Sequence, residues 1–228
     1  VVVNDIIKGT FLRESKNRFL CTVMINGQIQ ECYVPSSSRL ENYLNLKNRE
    51  VLLTKNQGEN RRTEYSLLAV KYYNKYILIN LNMVNAIVEF MIQNKNIEVL
   101  SGLTVKREQK LNAYKADLVL IDQQQIRDVI EVKGIISYKK DALFPSVNSA
   151  RAVGQLLQIK HLLQAQISVT YIIVSLSPIV RRIRLNEAYW EYYKCFKECI
   201  ELGMRVLSFS VNLHEGVISY GKGIKVIV

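Results

Sequence analysis

Asp117, Glu131 and Lys133 are the residues of this chain whose types and spacing could do chemistry. Two carboxylates held together can bind a divalent cation, which activates water and neutralises charge on an attacked phosphate. A lysine beside them can orient or deprotonate that water and stabilise the transition state. The pattern is an acid on one strand followed about a dozen residues later by Glu-Val-Lys, and it asks for a β-hairpin.

The local sequence supplies one. Ala116 to Ile121 and Arg127 to Lys133 are rich in β-branched residues and are separated by the polar run Asp122 to Gln125. A turn centred near Gln124 puts Asp117 directly across from Glu131, where Cβ atoms stand roughly 4.5–5.5 Å apart and like charges repel unless a cation lies between them. Alternation places Asp117, Val119 and Ile121 on the face of Val129, Glu131 and Lys133, and Leu118, Leu120, Ile130 and Val132 on the other. A hairpin apolar on both faces belongs inside a covered sheet, which partly desolvates the carboxylates. The simpler reading is a cross-strand ion pair with Lys133 or Lys115, and at this level both readings stay open.

The chain has 228 residues, 49% of them hydrophobic, enough for one large domain or two small ones. A formal charge of +11 and a pI near 9.5 point to a polyanionic partner, nucleic acid before anionic lipid. No apolar run approaches a membrane span and no signal-peptide pattern opens the chain, so a cytoplasmic location is expected. The four cysteines fit no zinc-ligand spacing. Cys21 and Cys32 face each other if Asn26-Gly27 forms a two-residue turn, and are expected as buried thiols. His161 and His214 are the only histidines, which disfavours mechanisms built on paired imidazoles.

Residues 1–81 read as six short strands, roughly 6–13, 18–25, 29–34, 51–54, 65–73 and 76–79, and so as a small barrel. Near Asn82 the pattern turns helical, with Val84, Ile87, Val88 and Met91 on one stripe. Residues 82–228 then read as helix, three strands, helix, strand, helix, strand, an α/β arrangement that makes the chain α+β overall. A helix from about Ser149 to Gln164, capped by Asn148, buries Ala152, Leu156, Ile159 and Leu163 and carries Arg151, Gln155 and Gln158 on its flank. Arg151, in the first turn, is placed to hold a phosphate. Val169–Ser175 reads as a buried parallel strand. Asn186 to Leu202 reads as a helix with Tyr189, Tyr193, Phe196 and Ile200 inward and Gly203 as its stop. Residues 204–213 and 224–228 read as closing strands.

In the barrel, cations and rings interleave, Arg18, Arg61 and Arg62 with Phe19 and Tyr65 among them. Such a mixture suits single-stranded nucleic acid, because cations follow phosphates while rings stack bases at about 1–3 kcal/mol each. Several of the rings are equally expected to fill the barrel core.

Arg18-Phe19-Leu20, Ser101-Gly102, Glu108, Lys115-Ala116-Asp117, Ile130-Glu131-Val132-Lys133, Phe144-Pro145 and Ser149-Ala150-Arg151 follow the order and spacing of the sugar fermentation stimulation protein A (SfsA) family, which the chain resembles over nearly its whole length. The resemblance implies an OB-type barrel joined to a PD-(D/E)XK, restriction-endonuclease-like αβββαβ domain with a mixed sheet. It further implies nucleic-acid binding and a DNA or RNA nuclease activity, with Asp117 and Glu131 as ligands of Mg²⁺ or Mn²⁺, Lys133 as the catalytic lysine and Glu108 as an additional acid. Asn85 matches a family position too. The chain departs from the family at Pro35-Ser36-Ser37-Ser38, where the family shows Pro-Asn-Thr-Gly, at Tyr114-Lys115, where it shows Ser-Arg, at Ser146 in place of Asp, and at Ala152, Gly154 and Gln155 in place of Gly, Lys and His. The expected function is a divalent-metal-dependent nuclease with Lys115, Arg151 and Gln155 near the phosphate and Arg18, Arg61 and Arg62 on the barrel. The alternative is a non-catalytic nucleic-acid-binding protein that keeps the nuclease fold as scaffold.

Overall fold

The computed structural model describes residues 1–36, 39–56, 62–111 and 114–228. The barrel is built from β1 (Ile6–Glu14), β2 (Leu20–Ile25), β3 (Gln28–Tyr33), β4 (Glu50–Lys55), β5 (Tyr65–Tyr72) and β6 (Lys75–Leu78). They pair in the order β3-β2-β1-β4-β5-β6, and a short parallel contact of β3 with β5 closes the sheet. Asn26 and Gly27, both at positive φ, make the two-residue turn that sets Cys21 opposite Cys32. Both thiols are free and fully buried. Arg61 and Ser37-Ser38 lie outside the described residues.

The second half runs α1 (Val84–Gln93), β7 (Thr104–Arg107), β8 (Lys110–Leu111), β9 (Tyr114–Lys115), β10 (Leu118–Asp122), β11 (Gln125–Ile135), β12 (Asp141–Phe144), α2 (Ala150–Gln164), β13 (Val169–Ser175), β14 (Arg182–Leu185), α3 (Trp190–Glu201), β15 (Arg205–His214), β16 (Val217–Gly223) and β17 (Lys225–Ile227). Six of these strands form one sheet in the order β16-β15-β13-β11-β10-β7, with β11, β13 and β15 parallel to one another. The hairpin β10–β11 is therefore interior to the sheet, as its two apolar faces require. Leu118, Leu120, Ile130 and Val132 pack on the side of α1 and the barrel, while Val119 and Val129 pack on the side of α2 and α3.

The register of that hairpin depends on a bulge. Gln123 and Gln124, at φ 45° and 66°, form a two-residue turn, so Asp122 pairs with Gln125 and Ile121 with Ile126. Arg127 is then an extra residue, and Leu120 pairs with Asp128 and Leu118 with Ile130. Continued one step, this register sets Asp117 opposite Glu131. Without the bulge Asp117 would face Ile130, and Glu131 would point to the other side of the sheet.

The two halves share one apolar core. Barrel residues such as Val51, Leu67 and Ile77 cluster with Ile87, Ile130, Ile172 and Val211, and the Leu78 amide donates to the Leu176 carbonyl at 2.9 Å. Gly134 allows the closest approach: a Cβ there would stand 2.7 Å from Leu81 Cδ2 and 2.9 Å from Val84 Cγ2. A bare backbone at Gly134 thus seats the start of α1 on β11.

Several expectations are corrected. The cap of α2 is Ser149, whose side chain accepts from the Ala152 amide, because it precedes the first helical residue while Asn148 stands one position too early. Ala152 is only partly buried, and Leu162 joins Leu156, Ile159 and Leu163 inside. The third helix starts at Trp190, with Asn186 four residues outside it, and buries Tyr192, Cys195, Phe196 and Cys199. Tyr189, Tyr193 and Ile200 only flank that stripe, since the inward positions are held by Cys195 and Cys199, the latter with its Sγ donating to the Leu156 carbonyl of α2 at 3.5 Å. The strand β16 was not foreseen. The tail strand β17 closes a separate parallel sheet, β12-β14-β17.

Candidate active site

Glu131 is completely buried in the middle of β11. Its Oε2 accepts from the Tyr114 hydroxyl and its Oε1 from Lys133 Nζ, which also donates to Gln155 Oε1 at 3.1 Å. Burial is the main influence on this carboxyl and raises its pKa; Lys133 acts against the shift and the charge of Asp117 adds to it. Tyr114, buried and donating to a carboxylate, is likewise held well above the usual phenol range.

Asp117 lies just before β10, and its two oxygens have different partners. Oδ1 accepts from Asn85 Nδ2 at 3.0 Å and Oδ2 from the Val132 amide at 2.8 Å. The first bond ties α1 to the strand end. The second crosses the hairpin at the residue between Glu131 and Lys133. Both depend on features already described, the seat of α1 at Gly134 and the bulge at Arg127.

A cleft of about 460 Å³ opens at Asp117 and Tyr114, lined also by Glu108 and Lys115 and, from α2, by Arg151, Gln155 and Gln158. The helix flank therefore faces the site. Glu108 is on the rim rather than beside Glu131: it is exposed, its Oε2 receives Lys115 Nζ at 2.6 Å, and this lysine holds its carboxyl below the ordinary range. Lys133 sits at the edge of a second, smaller hollow on the other side of Gln155.

Arg18 and Arg62 are elsewhere. The Arg18 guanidinium lies 4.7 Å from the centroid of the Phe19 ring, and Arg62 lines a hollow of about 370 Å³ with Phe19, Tyr33 and Asn56. Arg62 also reaches Glu31 at 3.8 Å on the surface. This patch shares no lining residue with the cleft over Asp117.

Tyr114, the second partner of Glu131, escaped the sequence reading, as did the buried pair Tyr171 and Tyr192, whose hydroxyls meet at 2.9 Å under the same face. Tyr171 pairs in register with Glu131, so a hydroxyl-bearing ring at that position of a fully buried strand is the available signal.

A family model described as the sugar fermentation stimulation protein RE domain matches residues 82–216, and one described as the SfsA N-terminal OB domain matches residues 14–79. The chain belongs to the SfsA family. A sugar fermentation stimulation protein homolog of Clostridium novyi (strain NT) is 25% identical across 99% of both chains. Its counterpart in Clostridium kluyveri (strain NBRC 12016) is 31% identical over 68% of this chain and 67% of the relative. The solved structure of Pyrococcus furiosus SfsA in complex with Ca²⁺ superposes with a TM-score of 0.88 at 20% identity, covering 100% of this chain and 98% of that one. The fold is thus the SfsA fold, an OB barrel followed by a mixed α/β sheet domain. Among the described residues no helix is long and apolar enough to cross a membrane, and no group of three or more His, Cys, Asp and Glu side chains could hold a metal.

Proposed function

We propose that this SfsA-family protein is a divalent-metal-dependent nuclease acting on DNA or RNA, with Asp117 and Glu131 as its metal-holding carboxylates. The observation that carries the reading is Glu131, a fully buried acid with raised pKa that faces a second carboxylate and has one lysine as its bonded cation. Two hard oxygen donors in partial excess of negative charge suit Mg²⁺ or Mn²⁺. The Pyrococcus furiosus relative is solved in complex with Ca²⁺, a hard divalent cation that takes oxygen ligands.

When bound, the cation would lower the pKa of a water and take up charge on the attacked phosphate. The protein's own residues supply the rest. Asn85 and the Val132 amide fix the plane of Asp117 before substrate arrives. Tyr114 holds one oxygen of Glu131 and Lys133 the other, and a cation held by Glu131 would free Lys133 to bond water or phosphate. Arg151 and Gln155, which line the cleft, would grip the phosphate, and Lys115 would add charge at the rim.

The second reading, a binding protein without catalysis, is favoured by the closure of Glu131 itself: Tyr114 and Lys133 satisfy both oxygens without any metal. One experiment decides. Single- and double-stranded DNA and RNA are incubated with the protein in Mg²⁺, Mn²⁺ or EDTA, beside Lys133→Ala. Metal-dependent cleavage lost in the variant, with affinity kept, supports the nuclease. Cleavage equal in both assigns it to a contaminant and leaves the binding protein.

A further inference from the structure

Three adjoining hollows lead away from the Asp117 cleft. Lys133, bonded to Gln155 of the first cleft, lines a hollow of about 160 Å³ beside Pro145 and Ser149. That hollow shares Tyr43, Ile135, Ile136 and Ser146 with a groove of about 790 Å³ between the barrel and the sheet domain. The groove in turn shares Leu143 and Asn186 with a hollow of about 300 Å³ at Arg184 and the chain end.

The groove's chemistry is mixed. Tyr43, Tyr138 and Tyr189 line it with the amides of Asn42, Asn45 and Asn186, and Lys47 and Lys139 stand at its rim. Tyr138 lies flat on Tyr72 of the barrel, ring centroids 5.2 Å apart, and Arg49 covers the other ring at 3.9 Å. Beyond it comes the sheet β12-β14-β17, whose outer face carries Arg182, Arg184 and Lys225. Arg182 and Arg184 are two residues apart on one strand, about 6.6 Å at the usual rise. Asp141 is the acid of that face and Arg182 clasps it at 2.5 and 3.0 Å. Among the described residues no carboxylate lies within ion-pair distance of Arg184 or Lys225. Glu41 and Glu187 stand at the margins.

We infer that a single strand of nucleic acid follows this path, its bases against the tyrosines and amides of the groove and its phosphates on Arg182, Arg184 and Lys225. Rings and amides between two domains offer contacts to exposed bases, which a duplex keeps stacked inside. Three clustered cations with one acid among them offer the phosphate contacts. The inference rests on the nucleic-acid reading above and extends it to a surface distinct from the Arg18 and Arg62 patch.

The test is binding of a labelled single-stranded oligonucleotide, followed by fluorescence anisotropy in EDTA across a salt series. The Arg182→Ala/Arg184→Ala/Lys225→Ala variant should bind on the order of 10–100-fold more weakly, with a salt dependence shallower by about two units of slope. Arg18→Ala/Arg62→Ala should change both less. Unchanged affinity and slope in the triple variant, with the wild type binding, overturns the path. Absence of wild-type binding at low salt overturns it too, as does tighter binding of a duplex of equal length. Because all three alanines replace exposed side chains, far-ultraviolet circular dichroism and Tm should match wild type. Wild-type binding with the predicted loss, but no cleavage in Mg²⁺ or Mn²⁺, keeps the path and removes the nuclease.

Discussion

Asp128 and Glu131 sit three residues apart on β11, at 2% and 0% exposure, on opposite faces of the same sheet. Asp128 accepts from Ser168 Oγ at 2.9 Å, Thr170 Oγ1 at 2.6 Å and Arg205 Nη2 at 2.7 Å. Its donors come from β13, the residue before it and β15, so the carboxylate ties three parallel strands into register. Glu131 has two donors, a phenol and a lysine whose own side chain is 27% exposed, and burial works against its charge. A buried acid wrapped by donors from the framework is a fastening. One whose partners stand at the wall of a cleft, beside a second acid, is poised to exchange them.

The contrast can be broken in several ways. The largest effect should be on cleavage: Glu131→Gln should lower the metal-dependent rate on the order of 10²–10³-fold, the several kcal/mol that metal-assisted charge stabilisation supplies. Asp128→Asn should leave the rate per folded molecule near wild type in the same assay. Equal losses in the two variants would erase the distinction.

Stability should respond in the opposite sense. Asp128→Ala should cost about 2–3 kcal/mol in urea denaturation, below the ~3–5 typical of a fully buried pair, because Arg205 is itself 44% exposed. Added Mg²⁺ or Mn²⁺ at a hundredfold excess over Kd should stabilise wild type and Asp128→Asn by about 2.7 kcal/mol and leave Glu131→Gln unmoved. A metal shift that survives Glu131→Gln would place the ion elsewhere.

The pH profile follows from the raised pKa of Glu131. The folded protein holds this proton more tightly than the unfolded chain, so the associated stability is full below the unfolded value near 4.5 and fades as pH rises through the folded value. Metal-free wild type should lose stability over that window, and Glu131→Gln should lose less. Profiles of identical shape would mean that Lys133 and Tyr114 neutralise the site completely. The smallest change is expected at Asn85→Ala, about 1 kcal/mol for one hydrogen bond to Asp117, with a modest loss of rate.

Much of this was legible from side-chain period and turn chemistry. The six barrel strands appear within a residue or two of their expected limits, because each is short, rich in apolar or β-branched residues and bounded by polar or turn residues. Asp117 stands opposite Glu131 as expected, but for two reasons that offset each other. The turn centres half a residue before Gln124, and the extra Arg127 restores the register. Nothing in Arg127 announces a bulge. Asp128, by contrast, carries a signal in the sequence: by alternation it shares the face of Ile130 and Val132, and an acid on a core face needs donors. The strands β12 and β14 are not legible because each is four residues long, β14 is half charged, and the sheet they form is completed by a strand at the far end of the chain. Tyr114 shows in the sequence only as a departure from the family pattern, and its contact with Glu131 spans a turn that sequence spacing does not resolve.

The apolar core that continues from Leu67 and Ile77 of the barrel into Ile130 and Ile172 of the sheet has a consequence for inheritance as well as for folding. A domain that buries its own core can be copied, swapped or fused elsewhere. Here a cut after residue 81 would leave each half with an uncovered apolar wall, a sticky surface in place of a finished one. The barrel and the sheet are therefore expected to be gained and lost together, as one unit of evolution, however separate their folds look.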